Sequence, residues 1–242
     1  SAKLLRIANS VFYSLQWQVD DIDRAIAVLG FLEVRDLALS ISVFESLYLP
    51  VGRGDFFDRS RSWEHNFIVA FLTRELAKAL GENPGNAFAA GLLHDIGKVA
   101  LDRFFPQEFR QIVESIRQNG VSFPEAESSI VGITHDMIGA HLLSNWNLPG
   151  NLIAGAGGHH DPTRYLDTQA VLVYCANQMA HIGGYATMDA EPQITYADFL
   201  QRPETRALKR DGRFPPEEIF RDLLQVLERE GGRALHRTAG RD

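Results

Sequence analysis

Apolar residues recur at three- and four-residue intervals along almost the whole chain, and no run of period two stands out against them. Ile22, Ala25, Ile26 and Leu29 form one such stripe, with Gly30 placed to end it. Val34, Leu37, Ala38, Ile41, Phe44 and Tyr48 continue the pattern up to Pro50. Residues 51–55, Val-Gly-Arg-Gly-Asp, are the best candidate for a break between two lobes. Trp63, Phe67, Ala70, Phe71, Ala77 and Leu80 then describe a long helix closed by Gly81, and Pro84 suits the first turn of another. Pro106 precedes the stripe Phe109, Ile112, Val113, Ile116, which Gly120 ends, and Ser122 and Glu125 have capping-box spacing. Residues 135–146 read as a helix. Leu148-Pro149 opens the next, which runs into His159-His160 and stops at Asp161-Pro162. An apolar helix over 167–182 follows, and after Gly183-Gly184 the pattern weakens until a final helix at about 217–230. The pattern predicts an all-α protein with two helical lobes, residues 1–54 and 55–184, and a helical extension over 185–242.

Composition narrows the class of protein. With 242 residues, 45% apolar and 23% charged, the chain matches an ordinary globular protein large enough for a substantial core. A net charge of −7 argues against non-specific nucleic-acid binding, which needs a positive footprint. It suits an acidic cytoplasmic protein kept soluble by self-repulsion. The cluster Arg202, Arg206, Lys209, Arg210 and Arg213 reads as a solvated loop. Cys175 is the single cysteine, so no disulfide forms within the chain, and its apolar neighbours predict a small buried hydrophobe. No apolar stretch approaches the ~20 residues of a membrane span, and the first residues carry no signal-peptide pattern. The chain opens on Ser1 in what already reads as mid-helix, so further helices are expected upstream.

Six side chains carry the candidate chemistry: His65, the pair His94-Asp95, His135, and the pair His159-His160. The first pair is set in the apolar run Gly91-Leu92-Leu93-His94-Asp95-Ile96-Gly97-Lys98, read as helical. A carboxylate buried there needs compensation. Imidazole and carboxylate are the donors that divalent zinc, iron, manganese or nickel accept. Four helices, each donating one or two such groups inward, is how metal sites are built in helical bundles. Adjacent helical residues diverge by about 100°, so a doublet addresses one ion only near a helix end, or else bridges two. One or two ions fit this count. Other readings stand beside it: His94-Asp95 as a hydrogen-bonded pair, His159-His160 as cations at a helix C-terminus, and His141, His181 and His236 as hydrogen-bonded core residues. Lys98, three residues after Asp95, lies on the same side of a helix. It either holds a phosphoryl oxygen beside a metal or pairs with Asp95.

Together these residues resemble the HD superfamily of metal-dependent phosphohydrolases, named for its His-Asp doublet. The layout is most similar to one branch, the HDOD domains of bacterial signalling proteins. The match runs through residues 1–10 and 22–30, Trp63 to His65, Gly91 to Lys98, His135 to Gly139, Trp146-Asn147-Leu148-Pro149 and His159-His160-Asp161-Pro162. It covers about residues 1–182 and implies that residues 55–184 form an HD-like metal-binding lobe. The related HD-GYP phosphodiesterases imply His65, His94, Asp95, His135, His159 and His160 as metal ligands; were the chain an active phosphohydrolase, Asp95 and Lys98 would be its catalytic residues. The chain departs from them in lacking Gly-Tyr-Pro and in having Asp161-Pro162 where they carry a Glu and a longer loop. It also has Asn177 where they place a final ligand Asp. The resemblance thus implies a regulatory signalling domain that keeps a metal and works through a protein partner. The alternative is an active phosphohydrolase or phosphodiesterase on a nucleotide or cyclic dinucleotide.

Overall fold

A computed structural model describes residues 5, 19–31, 34, 35, 38, 41, 42 and 57–238, with side chains to residue 227. The stripe from Val34 to Tyr48 lies mostly outside the described residues, and the candidate break at 51–55 wholly so. Among the described residues every regular element is helical, as the periodicity predicts.

The helix boundaries follow local chemistry. Helix α1 (Ile22–Leu29) starts where the Asp21 side chain accepts from the Arg24 N–H, and Gly30 ends it at φ 90°. Helix α2 (Arg59–Ala79) is capped by Asp58, which accepts from the N–H groups of Ser60 and Arg61. Asn83 caps α3 (Pro84–Leu93), whose first residue is the proline that can spare its donor. Then come α4 (Ile96–Phe104), α5 (Pro106–Asn119) and α6 (Phe123–Ile130). Gly120 ends α5 in the left-handed conformation, and Glu125 reaches back to the Ser122 N–H to start α6. Helices α7 (His135–Asn145), α8 (Gly150–Gly158) and α9 (Thr168–Ile182) follow, with a short 3-10 turn, Pro162–Arg164, between the last two. The chain closes with α10 (Tyr196–Gln201), α11 (Pro203–Arg210) and α12 (Glu217–Thr238).

Helices α2, α3 and α9 form the centre of the molecule. Ile68, Val69, Leu72 and Leu76 of α2 and Ala87 and Ala90 of α3 share one core with residues 171–176 of α9. Helix α3 comes very near α2, since a Cβ on Gly91 would lie 2.6 Å from the Ala70 Cα. A second cluster (Phe57, Phe109, Ile112, Val113, Ile116 and Phe123) joins α5 and α6.

The C-terminal extension packs on the same core: Phe199, Leu208, Phe220 and Leu227 all belong to it. Burial of large apolar side chains stabilises by about 1.5–3 kcal/mol each. The Tyr174 hydroxyl meets the Thr205 hydroxyl at 2.8 Å, and Arg213 donates to the Tyr165 carbonyl at 2.9 Å. The sequence pattern did not foresee α10 and α11. The basic cluster, expected as a loop, lies largely on α11, where Thr205 and Leu208 are buried while Arg206, Lys209 and Arg210 face solvent. The charges are solvated as expected, but two buried positions in an eight-residue helix were too short a stripe to read. None of the described helices is long and apolar enough to cross a membrane.

Candidate metal centre

The run Gly91–Lys98 is buried throughout, yet it is not one helix. Helix α3 stops at Leu93 and α4 starts at Ile96, so His94 and Asp95 occupy the junction. His94 keeps helical angles, but Asp95 sits at φ −94°, ψ 15°, which re-aims the chain. The doublet therefore corrects the expectation of a pair within a helix: its two heads converge, with His94 Nε2 3.6 Å from Asp95 Oδ1. Gly97 makes the junction possible. A Cβ there would lie 1.9 Å from the His135 carbonyl oxygen, so α4 meets the start of α7 at backbone contact.

The other donors arrive from the elements the sequence assigned. His65 projects from α2, His135 is the first residue of α7, and His159-His160 follow the last turn of α8. His65, His94, Asp95, His135 and His159 are buried, and His160 is half-buried. Three imidazoles are fixed by backbone carbonyls: His65 Nδ1 donates to Tyr185 at 2.6 Å, His94 Nδ1 to Gly91 at 2.7 Å and His159 Nδ1 to Ala156 at 2.6 Å. A carbonyl only accepts, so these Nδ1 atoms carry the protons and their Nε2 lone pairs face inward.

Those Nε2 atoms crowd together. The separations are 3.3 Å for His65–His94, 3.1 Å for His135–His159 and 2.9 Å for His135–His160. Asp95 stands between the two sets. Its Oδ2 accepts from Lys98 Nζ at 2.7 Å, while Oδ1 has no hydrogen-bond partner and lies 3.2 Å from His135 Nε2 and 3.4 Å from His159 Nε2. Converging Nε2 atoms around a buried carboxylate oxygen call for a cation among them, a metal ion or, without one, a protonated His135. The donors fall into two groups able to hold a metal ion, His135–His159–His160 and His65–His94–Asp95, each with ligand atoms within 4.8 Å of one another. Imidazole nitrogens and one carboxylate suit a divalent ion.

The electrostatics agree. Burial, aided by His181, lowers the His65 pKa to about 4, and burial holds His94 and His160 well below 6.5, which keeps all three as neutral donors near pH 7. Burial alone would raise the Asp95 carboxyl, but Lys98 and His94 hold it well below its ordinary range. Lys98 is likewise held charged by Asp95 against its burial, and its ammonium lies 4.5 Å from the centre of the Phe123 ring. His135 is the exception. Burial lowers its pKa, but Glu127 and Asp95 more than reverse this and bring it to about 9.

Glu127 was not singled out in the sequence. It accepts from His135 Nδ1 at 2.7 Å and from the His135 backbone N–H at 2.9 Å, and it is fully buried. The signal was there: Phe123, Ala126 and Ile130 mark the apolar face of α6, and Glu127 sits on that face four residues after Phe123. Of the other histidines expected in a core role, His141 departs from it. His141 is exposed and contacts Asn145 at 3.0 Å, and the His236 side chain lies outside the described residues. His181 is stacked edge-on beside His65, ring centres 5.2 Å apart. It lines a cavity of about 200 Å³ with Arg61, Asp189 and Glu191, and an Arg61–Asp189 ion pair of 2.6 Å spans that wall. Asn177 is buried on α9, and its Oδ1 has no hydrogen-bond partner.

Fold and site together define an all-helical protein of the HD type. A family model described as the HDOD domain matches residues 1–162, and the chain belongs to that family. An uncharacterised protein of Treponema pallidum is 24% identical over 98% of this chain, and a ribonuclease Y of Acholeplasma laidlawii is 32% identical over 48% of it. The chain spans less than half of these relatives, 41% and 17% of their lengths. An HDOD domain protein of unknown function from Geobacter sulfurreducens has the same fold, with TM-score 0.77 and 23% identity over 95% of this chain and 81% of that one. A candidate phosphohydrolase from Shewanella amazonensis gives TM-score 0.71 and 26% identity over 96% and 81%. A candidate signal transduction protein from Marinobacter aquaeolei gives 0.64 and 25% over 95% and 51%.

Proposed function

We propose that this chain is a cytoplasmic regulatory module of the HDOD family that retains an HD-type metal centre and acts through a signalling protein partner. One or two divalent ions (iron, manganese, nickel or zinc) are held by His65, His94, Asp95, His135, His159 and His160, within a metal-binding lobe of residues 55–184. The observation that carries the metal is the buried Asp95 Oδ1, left without a hydrogen-bond partner among inward-facing Nε2 atoms. Two features favour regulation. Asn177 offers a neutral amide on α9 where a carboxylate would bind a hard cation more strongly. Lys98 is only 3% exposed and already engaged by Asp95, so it is poorly placed to grip a ligand. The likeness to a candidate signal transduction protein supports the same reading.

A second reading, a phosphohydrolase acting on a nucleotide or cyclic dinucleotide, is favoured by the cavity lined by His181, whose ring packs beside His65, and by the likeness to a candidate phosphohydrolase. A bound divalent ion would supply a Lewis acid and an acidified water there. In that reading Asp95 orients the donors around it and Lys98 holds charge next to them.

One experiment tests both. The purified chain is analysed for metal content, stripped with chelator, reloaded with iron, manganese, nickel or zinc, and assayed on cyclic dinucleotides and a generic phosphodiester. Stoichiometric metal without turnover is the expected result. Metal-dependent turnover abolished in Asp95→Ala overturns the regulatory reading in favour of the enzyme. Equal metal uptake by parent, His94→Ala and Asp95→Ala overturns the centre itself.

A further inference from the structure

The two halves of the centre are supported differently. His65, His94 and His159 rest their Nδ1 protons on neutral backbone carbonyls. His135 rests its proton on the Glu127 carboxylate, whose two oxygens lie 2.7 and 2.9 Å from Nδ1. The same Glu127 Oε2 accepts the backbone N–H of His135 at 2.9 Å. That N–H belongs to the first turn of α7, where donors have no partner within the helix, and the Thr134 side chain does not cap it. One carboxylate thus holds both the start of the helix and the ring it carries.

A carboxylate behind an imidazole fixes its tautomer and strengthens the opposite nitrogen as a donor more than a carbonyl does. Asp95 favours the same half. Its Oδ1 is 3.2 and 3.4 Å from the Nε2 atoms of His135 and His159 and 3.6 Å from that of His94, whereas Oδ2, already taken by Lys98, is 3.8 Å from His65 Nε2. The His135 half therefore combines three nitrogens, a free oxygen and a charged support.

We propose that Glu127 is a positioning residue that makes the His135–His159–His160 half the tighter one, filled by a divalent ion before the His65–His94 half. This rests on the metal reading above, and the test separates the two.

The chelator-stripped chain is titrated with cobalt(II), following heat and the visible ligand-field spectrum. Glu127→Gln keeps the one oxygen that accepts both hydrogen bonds, removes the charge and puts an NH2 where the second oxygen lay 2.9 Å from Nδ1. It is expected to weaken the first binding step about 10-fold and to shift its spectrum, while Glu127→Ala weakens that step about 100-fold. His135→Ala is expected to abolish the first step and His65→Ala to spare it. Parental affinity and spectrum in Glu127→Gln overturn the proposal, even if Glu127→Ala lowers the melting temperature of the metal-free protein. A first step lost in His65→Ala and kept in His135→Ala overturns it as well. A parent chain that takes up no cobalt overturns the metal reading and this one with it.

Discussion

Asp95 joins three demands in one side chain. It neutralises Lys98, faces four imidazoles and keeps one oxygen unpaired. Asp95→Ala removes the partner of an ammonium that is 3% exposed. Stranding a buried charge costs about 3–5 kcal/mol. Urea unfolding of the metal-free variant is expected to show a loss of that size, and an unchanged midpoint would mean that Lys98 finds water or another partner. The six candidate donors were legible at this scale, because histidine and aspartate in an apolar run are conspicuous. Glu127 was harder to see. A glutamate on a short helix is ordinary until its neighbours Phe123 and Ala126 are known to be buried.

At the scale of elements, the caps and stops were the readable part. Asp58, Asn83 and Gly120 act within one turn of their own positions, so the chain carries their meaning locally. The break between α3 and α4 was not readable. Nothing in Leu92-Leu93-His94-Asp95-Ile96 forbids a continuous helix. The interruption depends on α7, whose first carbonyl lies against Gly97. Gly97→Ala places a methyl group 1.9 Å from that oxygen, and the two helices must part. The expected cost is about 3 kcal/mol, as for severe overpacking. A fall in divalent-metal affinity should accompany it, since the same contact sets His94 and Asp95 against His135. A Gly97→Ala protein with parental stability and parental metal uptake would show the contact to be incidental.

At the scale of the whole molecule, the C-terminal extension is part of the core. Phe220 is fully buried, stacks on Phe214 at 5.1 Å and lies 5.6 Å from Phe199. Phe220→Ala is expected to cost about 3–5 kcal/mol and to lower a single cooperative transition that includes the histidine lobe. Two transitions, with only one shifted, would instead mark the extension as independent. The weak periodicity beyond Gly184 concealed this, because α10 and α11 each bury only one or two side chains.

The buried histidines also give the metal-free molecule a defined response to pH. His65 has a folded pKa of about 4 against an ordinary 6.5, so between those values the unfolded chain takes up a proton that the folded one refuses. Stability falls as pH drops through that window, by about 3 kcal/mol for this one residue. His94 and His160, also lowered, act in the same direction. His135 acts oppositely: its pKa of about 9 adds stability that is full below 6.5 and lost as pH rises through 9. Scanning calorimetry with chelator present should therefore find the highest melting temperature near pH 6.5, falling on both sides. A flat profile from pH 4 to 6.5 would contradict the burial of these rings.

By itself, the sequence determined the helical class, most helix ends and the residues able to bind a metal. Periodicity, caps and donor chemistry all act over a few neighbouring positions, so they survive in the linear order. The tertiary structure alone decided that the His-Asp doublet lies at a helix junction, that Glu127 backs His135, that His181 stands beside His65, and that the C-terminal helices complete the core. Each of these depends on how helices distant in the chain approach one another. That approach is set by the packing of many side chains at once, which no local pattern encodes.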